Sequence, residues 1–392
     1  MASTVTLQDD AVPSATRTLT AKCFCQSVHF TITVPVSSLP LSTHLCNCYI
    51  CRQVHGTFCC FHAPLQDGIQ PQFVAPSSIA SSVTRYRHAQ AAADRLFCKT
   101  CGCHIGDEDI TPDAETGKPE WRVATSIFDD HGEDVFQIRS QLFTASEPGP
   151  GFADWLPSLG DRALRVWNPS CPDSVFPIPP PAAPKQEFDD QGHERLRAEC
   201  HCGGVSFTIP RPTHPSVAGG GDGPVQRYVS KVDPNKWVAC LDLCDDCRLV
   251  TGAHVIPWTF VPLGGLEPEI PPDFNFGTLT THVSSDKVLR AFCGTCGATV
   301  FFAVDDPDRV GGGVGDGDGD GNPKHRIVDV AVGILRAPEG PAAEKWLTWR
   351  TGKLAWYKSG QRFDPLFAES LATGFREWGV REHGEALDFS IP

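Results

Sequence analysis

The stretch CNCYIC at positions 46 to 51 returns as DLCDDC at positions 242 to 247, with an aspartate where the first cysteine stood. Each stretch lies in the middle of an ordered series of cysteines. The first series is Cys23-x-Cys25, Cys46-x-Cys48-x-x-Cys51 and Cys98-x-x-Cys101; the second is Cys200-x-Cys202, Cys244-x-x-Cys247 and Cys293-x-x-Cys296. The 46 residues between Cys51 and Cys98 are matched by 45 between Cys247 and Cys293. Neighbouring residues repeat too: AKCFCQSVHFTI with AECHCGGVSFTI, CRQVHG with CRLVTG, and RLFCKTCG with RAFCGTCG. A repeat this long and this well ordered marks a duplicated domain.

Working outward, the copies are expected at 20–158 and 194–385. A polar tail over 1–19 precedes them and a Pro-rich linker over 159–193, with VFPIPPPAAPKQEFDDQGHE, separates them. Within the second copy a Gly/Asp loop at 311–322 imitates a calcium loop through Asp316, Asp318, Asp320 and Gly321. Ile327 stands where the bidentate glutamate is required, so it reads as a loop.

The 36 Gly and 34 Pro favour turns over helix. The runs SVHFTITV, GVSFTIP, TVFFAV and IVDVAVGIL are rich in β-branched and aromatic residues, so the fold class is mainly β. A formal charge of −14 without basic stripes argues against a nucleic-acid role. No apolar run is long enough to span a membrane, and the N-terminal residues lack the pattern of a signal or transit peptide. The expected location is therefore cytoplasmic, where thiols stay reduced and 18 cysteines point to metal rather than disulfides. A Cys-x-x-Cys turn presents two thiolates to one ion, and two such turns close a four-sulfur site.

These motifs, CFCQSV, CNCYICRQVHG and FCKTCG in the first copy and CHCGGV, DLCDDCRLVTG and FCGTCG in the second, resemble the glutathione-dependent formaldehyde-activating enzymes, a family that includes centromere protein V. The trailing segments ATSIFDD and VAVGILRA fit the same pattern. The resemblance implies two tandem β-tent domains of small stacked antiparallel sheets, each with two zinc sites. It implies structural zinc at Cys23, Cys25, Cys98 and Cys101 and again at Cys200, Cys202, Cys293 and Cys296. It implies active-site zinc at the central motif, with glutathione as co-substrate.

The central motif of the first copy offers three thiolates, Cys46, Cys48 and Cys51, which leaves a fourth zinc position for an exogenous thiol or water. A metal-bound thiol is held as thiolate. Carbon–sulfur bond formation and cleavage on a small thiol or carbonyl substrate is therefore the expected chemistry, a lyase-like activity. The rival is a non-catalytic zinc scaffold or interaction module, its central zinc closed by a fourth protein ligand. Arg52 and Arg248 could bind an anionic substrate or make structural ion pairs, and His55 and His104 could be acid or base or lie behind the ligands. Cys59, Cys60, Cys103 and Cys171 read as core or linker cysteines. In the second copy Asp242 joins Cys244 and Cys247 as a weak ligand, with Cys240 or an empty site as alternatives.

Overall fold

The computed structural model describes residues 15–66, 68–168, 182–217, 224–305 and 326–391. Cys171 and the Gly/Asp loop at 311–322 lie outside the described residues. The four β-rich runs form the strands His29–Pro35, Ser206–Pro210, Thr299–Val304 and Ile327–Ala331. In the first of these, alternation turns Phe30, Ile32 and Val34 into the core.

The main sheet of the first copy has eight strands. In spatial order they are Arg165–Trp167, Phe136–Leu142, Leu41–Cys46, Cys60–Leu65, Trp121–Ala124, His104–Asp109, Ala93–Cys98 and Val83–Tyr86. The main sheet of the second copy repeats the last seven positions: Leu347–Trp349, Trp237–Asp242, Ile256–Pro262, Ile327–Ala331, Thr299–Val304, Val288–Cys293 and Leu279–Ser285. The sequence repeat is thus a repeat of topology. Both sheets are antiparallel except at one end, where Phe136–Leu142 runs parallel to Leu41–Cys46 and Leu347–Trp349 parallel to Trp237–Asp242. Two three-stranded sheets carry the Cys-x-Cys hairpins, one built on Thr16–Lys22 and His29–Pro35, the other on Glu194–Glu199 and Ser206–Pro210.

Strand formation starts at Thr16, inside the segment expected as a tail. At the two ends of the expected linker, Arg165–Trp167 pairs with Phe136–Leu142 and Glu187–Phe188 pairs with Glu194–Glu199. The helix Pro365–His383 was hidden by a composition rich in Gly and Pro. Asp364 caps it by accepting the Phe367 N–H at 2.9 Å, Pro365 opens it, and Gly384 closes it at φ 81°. Its buried Phe367, Leu371, Phe375 and Trp378 recur at helical spacing.

This helix joins the copies. Its Phe375 and Trp378 pack on Trp155 of the first copy at ring distances of 4.8 and 5.3 Å. A Cβ on Gly374 would lie 2.3 Å from the Trp155 carbonyl oxygen, so only glycine permits that approach. One hydrophobic core runs from Leu45, Phe58 and Trp155 into Trp349, Phe375 and Trp378.

The rest of the junction is pseudo-symmetric. The Phe24 N–H donates to the Leu249 carbonyl at 3.1 Å, and the His201 N–H donates to the Gln53 carbonyl at 3.3 Å. Gly56 and Gly252, each ending a central helix at φ 73° and 75°, rest on the other copy's backbone at Thr299 and His104. A Cβ on Gly56 would meet the Thr299 oxygen at 2.2 Å. Gly56→Ala is therefore expected to destabilise the whole chain, by roughly 1–2 kcal/mol for the left-handed backbone alone and more for the clash. Urea unfolding would show it as a lower midpoint in a single transition; an unchanged midpoint would mean that the copies do not share this contact.

Candidate metal centres

The outer motifs converge as pairs of hairpins. The sulfurs of Cys23, Cys25, Cys98 and Cys101 all lie within 4.8 Å of one another, as do those of Cys200, Cys202, Cys293 and Cys296. The Cys23–Cys25 and Cys25–Cys98 separations are 3.5 and 3.6 Å, and both Cys200–Cys202 and Cys202–Cys293 are 3.5 Å. A tetrahedral zinc with bonds of about 2.3 Å sets its sulfurs about 3.8 Å apart, so these clusters fit that ion. Backbone N–H groups favour their ionised form: Val28 donates to Cys23 at 3.3 Å, Val205 to Cys200 at 3.3 Å and Cys296 to Cys293 at 3.4 Å. Crowding splits the thiols. Hydrogen bonds led by Cys101 hold Cys25 well below the ordinary thiol range, while bonds to Cys23 and its neighbours push Cys101 well above it. An ion held by either cluster would have four sulfur ligands and no position left for substrate.

The central motif of the first copy is placed by a strand end and a helix start. Cys46 ends Leu41–Cys46, Cys48 caps the helix Tyr49–His55 by accepting the Cys51 N–H at 3.3 Å, and Cys51 lies in its first turn. The three sulfurs lie within 4.8 Å of one another. Hydrogen bonds from Cys46, Cys48 and Cys60 hold the Cys51 thiol well below its usual range despite full burial.

Cys60, expected as a core cysteine, belongs to this neighbourhood. It pairs with Cys46 across the sheet and packs in one buried cluster with Cys46 and Cys51. Both cysteines are buried as expected, but the two neighbours pack in different places, Cys59 in the shared core and Cys60 in a small cluster with Cys46 and Cys51. Cys103 is a core residue as expected.

Arg95 was also missed, although an arginine three residues before the cysteine pair occurs in both copies. Burial disfavours its charge, but Asp107 and the Cys51, Cys48 and Cys60 thiols outweigh that and hold it charged. Its counterpart Arg290 donates to the Cys247 sulfur at 3.4 Å. A buried guanidinium beside a thiol cluster offsets negative charge that would otherwise be costly there.

Behind the site lie three buried imidazoles. His55 Nδ1 bonds the Cys51 carbonyl at 2.8 Å, His62 Nδ1 bonds Asp107 at 3.0 Å, and His104 Nε2 bonds the Gly297 carbonyl at 3.1 Å. Those oxygens only accept, so each imidazole carries its proton on the named nitrogen. The other nitrogens, His55 Nε2, His62 Nε2 and His104 Nδ1, are buried without a hydrogen-bond partner in the protein. The second copy has Thr251, Trp258 and Thr299 at these three positions. The fold therefore does not need the histidines; they accompany the three-thiol site. His55 and His104 lie behind the ligands, not on the surface.

Burial drives His55 down to about 4 and His104 well below the ordinary imidazole value. A histidine with a depressed folded value stabilises fully above its unfolded value near 6.5, and that contribution falls as pH drops towards the folded value. Each such group costs about 1.4 kcal/mol per pH unit in that window. His104→Thr, taking the second copy's residue, should shrink the stability lost between pH 7 and pH 5 by roughly 2 kcal/mol. Urea midpoints at both pH values check this, and an unchanged pH slope would count against a neutral His104.

Arg52 and Arg248 are sealed into the junction. Arg52 is 2 % exposed, grips Glu147 with Nε at 2.6 Å, and donates from Nη1 to the Gly333 and Leu335 carbonyls of the other copy, both at 2.8 Å. Arg248 mirrors it by donating to the Ser126 carbonyl and lying 3.7 Å over the Phe363 ring. In the second copy's central motif, Asp242, Cys244 and Cys247 converge within 4.8 Å, and Cys240 stands outside that group. Asp242 Oδ1 accepts the Cys244 N–H at 2.8 Å, while burial raises the carboxyl to about 7. One further group, Asp189, His193 and His214, reads as a turn lock. The Ser216 N–H donates to His214 Nδ1 at 3.1 Å, which leaves the proton on Nε2, directed at Asp189 at 2.8 Å.

No helix among the described residues is long and apolar enough to cross a membrane. A search of curated proteins gives no match. Residues 18–146, which span the first copy's hairpin and central motifs, match the family model described as glutathione-dependent formaldehyde-activating enzyme. That match covers the first cysteine series, from Cys23 to Cys101, and ends before the second begins.

Proposed function

We propose that the first copy is a zinc-dependent, lyase-like enzyme that makes or breaks the carbon–sulfur bond of a thiol adduct of an aldehyde or related carbonyl metabolite, with glutathione as the thiol, in the cytoplasm. The observation that carries this reading is the contrast between sites: the outer motifs bring together four thiols, the first central motif three. Zinc held by Cys46, Cys48 and Cys51 would keep an exogenous thiol as thiolate at neutral pH, by lowering its pKa from about 8.5. Arg95 offsets the negative charge gathered there. Arg52 serves as a positioning residue, tying the helix that carries Cys51 to Glu147 and to the second copy. The second copy then acts as a partner that buttresses the first, with structural zinc at its outer motifs and a weaker central metal at Asp242, Cys244 and Cys247.

A zinc scaffold is the second reading, and the packing of Cys60 beside Cys46 and Cys51 is what favours it. The experiment that separates the two mixes glutathione and 13C-formaldehyde with the zinc-loaded chain and follows adduct exchange by NMR. Accelerated exchange that is lost in Cys48→Ser supports the enzyme. Equal exchange with and without protein rejects formaldehyde activation.

A further inference from the structure

The strand Cys60–Leu65 lies antiparallel to Leu41–Cys46 and sets Cys60 directly opposite Cys46. The side chain is 1 % exposed and packs in one buried cluster with Cys46 and Cys51. Cys60 stands beside, not within, the set of Cys46, Cys48 and Cys51, whose sulfurs lie within 4.8 Å of one another. Side chains opposite each other on one sheet face have Cβ atoms about 4.5–5.5 Å apart, and a change of χ1 rotamer sweeps a thiol across such a gap.

The second copy supplies an internal control. Its strand Ile256–Pro262 places Ile256 opposite Asp242 in the register that sets Cys60 opposite Cys46. The site that lost its first cysteine also lacks this one, and the fold accepts an apolar side chain there. Cys60 is therefore not needed for packing.

We propose that Cys60 is a displaceable fourth ligand of the first copy's central metal, completing four sulfurs at rest and yielding its place to an incoming thiol while taking up that thiol's proton. The proposal rests on the open-site reading above. The S–H bond of the incoming thiol breaks, the S–H bond of Cys60 forms, and nothing is oxidised or reduced. One thiolate replaces another, so the charge of the buried site is unchanged and no new charge has to be desolvated. The proton stays inside the protein. The fourth cysteine beside the three then becomes part of thiol capture.

The test uses the full chain, with cobalt in the central sites after mild chelation, and 2-mercaptoethanol as the thiol. Parent, Cys60→Ala and Cys60→Ser are compared by visible spectrum and by calorimetry in buffers of different ionisation enthalpy. The parent should show a four-sulfur cobalt spectrum before thiol is added and bind 2-mercaptoethanol without releasing a proton to the buffer. Cys60→Ala should show a weaker thiolate-to-cobalt band that thiol restores, bind 2-mercaptoethanol about tenfold or more tightly, and release about one proton per thiol. Cys60→Ser guards against a packing artefact, since its melting temperature should stay near that of the parent. Identical spectra and affinities in parent and Cys60→Ala overturn ligation by Cys60. A spectrum that differs between parent and variant with no thiol binding in either overturns displacement, and it rejects the open-site reading while leaving Cys60 as a fixed ligand.

Discussion

Cys98→Ser is expected to unfold the chain, and Cys293→Ser to do the same from the other copy. Closing a structural zinc site contributes on the order of 10 kcal/mol in small zinc peptides, against a total stability of about 5–15 kcal/mol for a domain. Opening one four-sulfur cluster therefore removes most of what holds its copy together. The damage does not stop there, because Trp155 and Phe58 of the first copy share a core with Trp349, Phe375 and Trp378 of the second. The backbone at Gly56 and Gly252 is likewise seated on the opposite copy. Calorimetry should show one early transition, or none, in each variant, with loss of bound zinc. A variant that kept its full zinc content and the parent melting temperature would remove the outer motifs from the metal assignment.

Cys48→Ser should behave oppositely, abolishing turnover and one metal while the fold survives. The central site is held by a short helix and a strand end, and its metal closes no loop on which the core depends. Loss of one soft thiolate from three leaves a pair that holds zinc poorly. Asp242→Ala removes a hard ligand from a site with only two thiolates, so it should deplete a metal that is already weak and leave turnover nearly unchanged. Asp242→Cys should raise zinc retention in the second copy. Metal content after partial chelation and turnover of each variant decide the matter. Loss of all turnover in Asp242→Ala with the first copy's metal intact would place the active site in the second copy.

The cysteine spacing made much of this legible, because a Cys-x-Cys and a Cys-x-x-Cys turn each leave few geometries for their sulfurs. All four outer pairs meet as the family resemblance implied, and Cys46, Cys48 and Cys51 lie together as their spacing suggested. What the spacing could not carry was the sheet register. Cys60, His62 and Asp107 come to the site across strands, from residues far apart in the chain, and only the pairing of Cys46 with Cys60 and His44 with His62 puts them on one face. Arg95 was visible in both copies, yet an arginine three residues before a cysteine has no meaning until the hairpin sets it beside Asp107. Arg52 was visible too, but its bonds to Gly333 and Leu335 depend on how the copies dock. The helix Pro365–His383 shows an apolar spacing of its own that the overall Gly and Pro content obscured.

The most direct measurement of the central claim is the stoichiometry of glutathione binding to the zinc-loaded chain by isothermal titration calorimetry. One glutathione per chain is expected, unchanged in Asp242→Ala and absent in Cys48→Ser at equal content of structural zinc. Binding that survives in Cys48→Ser, or disappears in Asp242→Ala, would contradict a thiol site built on Cys46, Cys48 and Cys51.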